Sequence, residues 1–197
     1  MKVVFATKNK DKLKEVREIL APDFEVISMT EAGVDIDVEE DGTTFEENAI
    51  KKAETVMKLC GEITIADDSG LEVDFLNGEP GVYSSRYMGE DTPYTIKNQA
   101  IIDRLKDARG SQRSARYTCA VAVALPGKYT LIVQESCEGE ITKEPKGDNG
   151  FGYDPIFYVQ RYKKTMAELT MEQKNKISHR GKAFRAVAER LRSIEFE

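Results

Sequence analysis

The chain has 197 residues, 40% hydrophobic and 32% charged, which is enough for one domain with a real core and ordinary for a globular enzyme. Lys and Arg number 29 against 35 Asp and Glu, for a formal net charge of −6, and this excludes a generic double-stranded DNA binder, which needs a surplus of basic side chains against phosphate. No run approaches the roughly 20 apolar residues of a membrane helix, and the apolar stretch within Met1–Ala6 is too short for a signal peptide, so a soluble cytoplasmic protein is expected.

Val3 to Ala6 reads as a buried strand. After a polar segment, Leu13, Val16, Ile19 and Leu20 recur at helical spacing and predict an amphipathic helix that Pro22 ends. Phe24 to Ser28 reads as a returning strand. Val34, Ile36 and Val38 alternate with Asp35, Asp37 and Glu39, the pattern of a half-exposed strand with acids on one side. Thr43 and Glu46 have capping-box spacing, and Phe45, Ala49, Ala53, Val56, Met57 and Cys60 line one face of the helix they would start. Ile63, Ile65 and Leu71, Val73 flank Asp67-Asp68-Ser69-Gly70, a composition that predicts a turn between two strand segments.

Thr92-Pro93 precedes a helical pattern at Ile96, Ala100, Ile101 and Leu105. Arg116–Leu125 and Tyr129–Cys137 are β-rich runs separated by Pro126-Gly127-Lys128, a hairpin signal. Glycine is densest at Gly147–Gly152, ahead of a short strand at Ile156–Val159, and Ser178 can cap a final helix facing inward with Phe184, Val187, Leu191 and Ile194. Strands and helices alternate with hairpins among them, so the expected class is a mixed α/β domain spanning residues 1–197 without a linker. Cys60, Cys119 and Cys137 are scattered and odd in number, which suits reduced thiols.

The commonest nucleotide signatures are missing. There is no GxxxxGK[ST] loop, the glycines at 147, 150 and 152 read GxxGxG, and the lone His179 rules out an HExxH zinc site. Four polar clusters remain, each at the edge of an element. Thr7, Lys8, Asn9, Lys10, Asp11 and Lys12 stand at a helix start, where free N–H groups and the helix dipole attract anions. Glu39-Glu40-Asp41 and Asp67-Asp68 offer the oxygen ligands that Mg²⁺ takes in phosphate-handling sites, and Gly70 lets a ligand approach the backbone beside Ser69. Phe151, Gly152, Tyr153 and Asp154 could stack on a base, although aromatics more often pack in a core. Lys174, His179 and Arg180 can donate hydrogen bonds to a base or to phosphate, against a plainer reading as surface residues at a helix start.

Taken in order, ATKNKDKLKE (6–15), GTTFEENAIKKA (42–53), ADDSGLEVD (66–74), PGVYSSRY (80–87), GFGYDPIF (150–157), MAELT (166–170) and EQKNKISHRGKAF (172–184) span nearly the whole chain. Together they resemble the inosine triphosphate pyrophosphatase family, in its bacterial branch. The resemblance implies an elongated mixed β-sheet flanked by helices, in two lobes with a nucleotide cleft between them, and a homodimer. It implies Mg²⁺-dependent hydrolysis of non-canonical purine triphosphates (XTP, dITP and ITP) to monophosphate and pyrophosphate. By motif, Thr7, Lys8, Asn9, Lys10, Asp11 and Lys12 would hold the triphosphate, Glu39 and Asp68 would bind the metal, and Asp68 would also accept a proton from the attacking water. Ser69 would contact substrate, Phe151, Gly152, Tyr153 and Asp154 would frame the base, and Lys174, His179 and Arg180 would complete recognition. Glu40 remains an alternative to Glu39, and Asp67 could share or exchange the role of Asp68. Two other readings stay open: a related pyrophosphatase acting on other damaged nucleotides, and a nucleotide-sensing module without chemistry.

Overall fold

Three apolar residues in succession, Val3, Val4 and Phe5, can be satisfied only by burial on both faces, and none is exposed. In a computed structural model of the chain, which describes residues 1–194, they form β1 (Lys2–Phe5). Parallel neighbours flank this strand, β2 (Glu25–Ser28) on one side and β3 (Thr64–Val73) on the other. Two helices make these connections, α1 (Lys10–Leu20) and α2 (Phe45–Cys60). After α3 (Tyr94–Arg104), the chain adds β4 (Ser114–Ala124), β5 (Thr130–Ile141), β6 (Phe157–Val159) and β7 (Lys164–Thr165), then ends in α4 (Met171–Ile177) and α5 (His179–Arg192). The strand order is β2-β1-β3-β4-β5-β6-β7, with β5, β6 and β7 paired antiparallel, so the sheet is mixed as expected.

Two compact units divide the chain. The first comprises Met1–Asp68, Cys119–Glu135 and His179–Glu197, and its core packs Phe5, Val16, Leu20, Ile65, Val121 and Leu191 around Phe184. The second comprises Ser69–Thr118 and Ser136–Ser178, with a separate core that includes Leu71, Ile101, Leu105, Phe157 and Met166.

Several local expectations change. Asp67-Asp68-Ser69-Gly70 is no turn: it lies inside β3, where ten residues run through almost entirely buried surroundings. Pairing across the sheet and polar partners for the aspartates override the local turn preference. Val34, Ile36 and Val38 belong to no strand, yet the alternation holds in burial, because Val34 is buried while Asp35 and Asp37 face solvent. The cap of α2 is Thr44, whose Oγ1 accepts from Glu47 N at 3.1 Å, one residue beyond the expected Thr43. Helix α4 went unanticipated although Thr170 and Gln173 form a full capping box at its start. All three cysteines are free thiols.

Phe184 is fully buried and meets the Phe5 ring edge-on at 5.5 Å between centroids. Phe184→Ala is expected to lower stability by about 3–5 kcal/mol through lost transfer energy and the cavity left behind. Urea denaturation checks this, and a loss below about 1 kcal/mol would contradict the first unit's core as described.

Candidate active site

Within the first unit, two adjacent aspartates at the end of a buried strand segment meet opposite surroundings. Asp67 is 2% exposed. Its carboxylate receives Lys12 Nζ at 3.1 Å and Arg180 Nε at 3.3 Å, and Cys119 Sγ lies 4.0 Å away. Burial works against its ionisation, but the charges of Lys12, Arg180 and Lys52 overcome that cost and hold its carboxyl well below the usual range. Arg180 is itself buried and donates from Nη1 to Glu15 at 2.6 Å. Burial alone would lower its pKa, yet the carboxylates of Asp67 and Glu15 raise it.

Asp68, 5% exposed, is pushed up to about 6, first by burial and then by the negative charge of Glu40, against the opposing effects of Lys52 and Asn48. Asn48 Nδ2 donates to Asp68 Oδ2 at 2.9 Å, while Asn48 Oδ1 accepts from Gly42 N at 2.8 Å. Lys52 Nζ bridges Glu40 Oε1 and the Asp67 carbonyl, both at 2.6 Å. This lysine loses hydration on burial, and the acids Glu40, Asp67 and Asp68 nevertheless keep its pKa raised. Glu40 is thus committed to Lys52, whereas Glu39 is exposed.

At the start of α1, Asn9 is the cap, and its side chain accepts from the N–H groups of Asp11 and Lys12. Thr7 Oγ1 accepts from Asn9 N at 3.1 Å. Lys8 reaches Asp35 at 3.0 Å and Asp37 at 2.9 Å, and Lys10 and Asp11 are exposed. Lys8 is thus exposed but held between two carboxylates, Asn9 and Lys10 are exposed, and Lys12 turns inward to Asp67.

Helix periodicity explains three residues that the sequence reading did not single out. Glu15 lies beside Val16 on the buried face of α1, one turn from Lys12, and Asn48 and Lys52 are one turn apart on α2. A charged or amide side chain adjoining an apolar stripe was the available signal.

In the second unit, Asp154 is 3% exposed and organises a loop. Its Oδ1 accepts from Tyr117 Oη at 3.1 Å, and its Oδ2 accepts from Phe151 N at 3.1 Å and from Lys174 Nζ at 2.7 Å. Lys174 Nζ also lies 4.7 Å from the Phe151 ring centroid. Tyr153 is a core residue, 3% exposed, whose hydroxyl donates to Ser84 O at 2.6 Å. Phe151 and Gly152 are half-buried. Ser69 is half-buried in β3, and His179 is buried beside Arg180 at the start of α5. Tyr153 and Asp154, expected to frame the base, and Arg180, expected to complete recognition, thus make hydrogen bonds within the protein through their side chains.

The first unit's donor set is of oxygen ligands, the type a hard divalent cation takes. The negative charge of Glu40 raises the Asp68 carboxyl, and Glu39 stands exposed alongside, an environment a hard cation relieves. Among the described residues no group of three His, Cys, Asp or Glu side chains converges on a metal position.

The chain is similar to known proteins over nearly its whole length. The sequence model of the Ham1 family matches residues 3–190. A dITP/XTP pyrophosphatase of Desulforamulus reducens is 49% identical over 195 residues, covering 98% of this chain and 97% of that protein. The solved Ham1 protein of Staphylococcus aureus is 43% identical with a TM-score of 0.87, covering 98% of both chains. That of Coxiella burnetii is 43% identical with a TM-score of 0.88, covering 98% of this chain and 100% of its own. With the family model matching residues 3–190 and a relative 49% identical over 98% of the chain, the chain belongs to the Ham1 family.

Proposed function

We propose that the protein hydrolyses non-canonical purine nucleoside triphosphates, namely dITP, ITP and XTP, to the monophosphate and pyrophosphate, with Mg²⁺ as cofactor. The carrying observation is the unequal pair in β3: Asp67 is fixed as an anion by Lys12 and Arg180, while Asp68 has a carboxyl raised to about 6. The names of the full-length relatives support the substrate class. Homodimer formation, action as one catalytic domain over residues 1–197 and a cytoplasmic location belong to the same reading. For the location, the support is that no helix among the described residues is long and apolar enough to cross a membrane.

In this reading Lys8 and Lys10, with Thr7, Asn9 and Asp11 in the same turn, take the triphosphate at the start of α1, where helix N–H groups favour anions. Glu39 and Asp68 hold the metal. Bound there, Mg²⁺ supplies charge neutralisation of the phosphates and a more acidic water. Asp68 orients the attacking water toward the α-phosphorus and accepts its proton; a carboxylate holding Mg²⁺ would be a weak base, so most of the activation would come from the metal's acidifying of that water. Lys52 contributes fixed positive charge beside both aspartates, and Lys12 keeps Asp67 from competing for the proton. Ser69 contacts substrate, and the Phe151 ring with Gly152 frames the base.

Selectivity rests on N–H donors that pair with a 6-oxo purine and oppose the 6-amino group of adenine, an unpaired buried donor costing about 1–3 kcal/mol. Lys174, whose ammonium lies between the Asp154 carboxylate and the Phe151 ring, is the side chain assigned to that task. His179 and Arg180 support the site from within, Arg180 by holding Asp67.

Incubation with Mg²⁺ and each of ITP, dITP, XTP, ATP, GTP and dTTP, with products separated by ion exchange, tests this directly. Monophosphate and pyrophosphate are expected from the first three, with kcat/KM for the others lower by roughly 100-fold or more. Diphosphate with orthophosphate, or equal turnover of ATP, would contradict the reading.

Asp68→Asn is expected to abolish turnover and yet to stabilise the metal-free fold. A carboxyl near 6 in the folded state and about 3.9 unfolded keeps its proton longer when folded, so stability falls as pH rises from about 4 to 6 and stays lower above. The full effect is about 2–3 kcal/mol. In EDTA at pH 8 the variant should melt several degrees higher than the parent, with the gap closing near pH 4. A variant that melts lower at pH 8, or retains its rate, counts against the assigned role.

A further inference from the structure

The loop from Gly150 to Asp154 is fastened from one side by Asp154, as described. From another side it is held by helix α3, whose residues have so far had no part in recognition. Tyr94 and Asn98 are one helical turn apart and share a face. Asn98 is 3% exposed, and its Nδ2 donates to Gly152 O at 3.2 Å. Its Oδ1 is buried and finds no hydrogen-bond partner among the described residues, so the amide has given up water for that single contact. The Tyr94 ring stands edge-on to the Tyr153 ring, 5.1 Å between centroids, and passes beneath Gly152. Lys97, fully buried three residues on, packs over the tyrosine: its Nζ lies 4.7 Å from the Tyr94 centroid and donates to Ser85 O at 2.7 Å.

Gly152 has φ +67°, a conformation that other residues adopt at a cost, and its carbonyl direction is therefore a specified feature of the loop. In a trans peptide the C=O and the following N–H point in opposite directions. Fixing Gly152 O toward α3 consequently aims the Tyr153 backbone N–H away from α3, where it makes no hydrogen bond to any described residue.

We propose that Asn98 is a positioning residue for substrate selectivity: by holding Gly152 O, with Tyr94 behind it, it sets the orientation of the Gly152–Tyr153 peptide that faces the purine. The inference rests on the base-framing role given above to Phe151 and Gly152. It assigns discrimination between 6-oxo and 6-amino purines partly to helix α3.

The test is steady-state kinetics with ITP and ATP on the parent, Asn98→Ala, Asn98→Asp and Tyr94→Leu, with circular dichroism on each. Tyr94 is exposed, so its variant keeps the second unit folded even where an Asn98 variant does not. In folded variants kcat/KM for ITP should fall about 10- to 100-fold, mainly through KM, while the value for ATP changes by less than about 3-fold. The ITP-to-ATP ratio should therefore shrink by about 10-fold or more, and inhibition by pyrophosphate should be unchanged. A purely structural role would lower both substrates together, and that result, like an unchanged ratio, overturns the inference. A parent protein that does not prefer ITP would overturn the functional reading and this inference with it. A selective parent with ratio-neutral variants overturns the inference alone.

Discussion

Taking the Asp67 carboxylate out of water costs several kcal/mol in hydration, and nothing apolar can return it. The first unit meets this cost with cations drawn from distant parts of the chain: Lys12 from α1, Arg180 from α5 and the nearby charge of Lys52 from α2. Arg180 then brings a second buried carboxylate, Glu15, back to α1. Both terminal helices of the unit are tied to the central strand by one charge network. The arrangement gives rigidity of position more than net stability, because a buried ion pair roughly breaks even against well-packed apolar residues while loss of one partner is expensive.

The neighbouring residue gains its chemistry from what that network leaves over. Lys12 and Arg180 are spent on Asp67. Asp68 keeps the amide of Asn48 and a share of Lys52, and these do not offset burial and the charge of Glu40. Two aspartates adjacent in sequence thus titrate in different ranges, one as a fixed anion and one as a group able to exchange a proton near neutrality. The second unit follows the same logic with another carboxylate. Asp154 is satisfied by Tyr117, Phe151 N and Lys174, and so shapes a loop from within. Gly150 is required there, since a side chain would collide with the Asp154 carboxylate.

Much of the fold was legible in the sequence wherever the signal was local. Apolar runs such as Val3–Phe5, the helical stripe from Phe45 to Cys60 and the Pro126-Gly127-Lys128 turn all led to the elements observed. Legibility failed where long-range partners decide. Asp67-Asp68-Ser69-Gly70 has a turn composition, and only partners as remote as Arg180, 113 positions away, make it tolerable inside a strand. The alternation at Val34, Ile36 and Val38 correctly marked which side chains turn inward, but alternation does not say whether a neighbouring strand is there to pair. Among the candidate site residues, chemical type was readable and direction was not. Tyr153, Asp154 and Arg180 carry suitable groups, yet burial turns those groups toward the protein itself.

Carbon-13 NMR titration of the aspartate carboxyls in the metal-free protein, assigned with Asp67→Asn and Asp68→Asn, addresses the division between the two aspartates most directly. One resonance, lost in Asp68→Asn, should titrate near pH 6, and the resonance of Asp67 should remain that of an ionised carboxylate down to the acid limit of the fold. Two carboxyls titrating together near the ordinary value of about 3.9 would contradict the account.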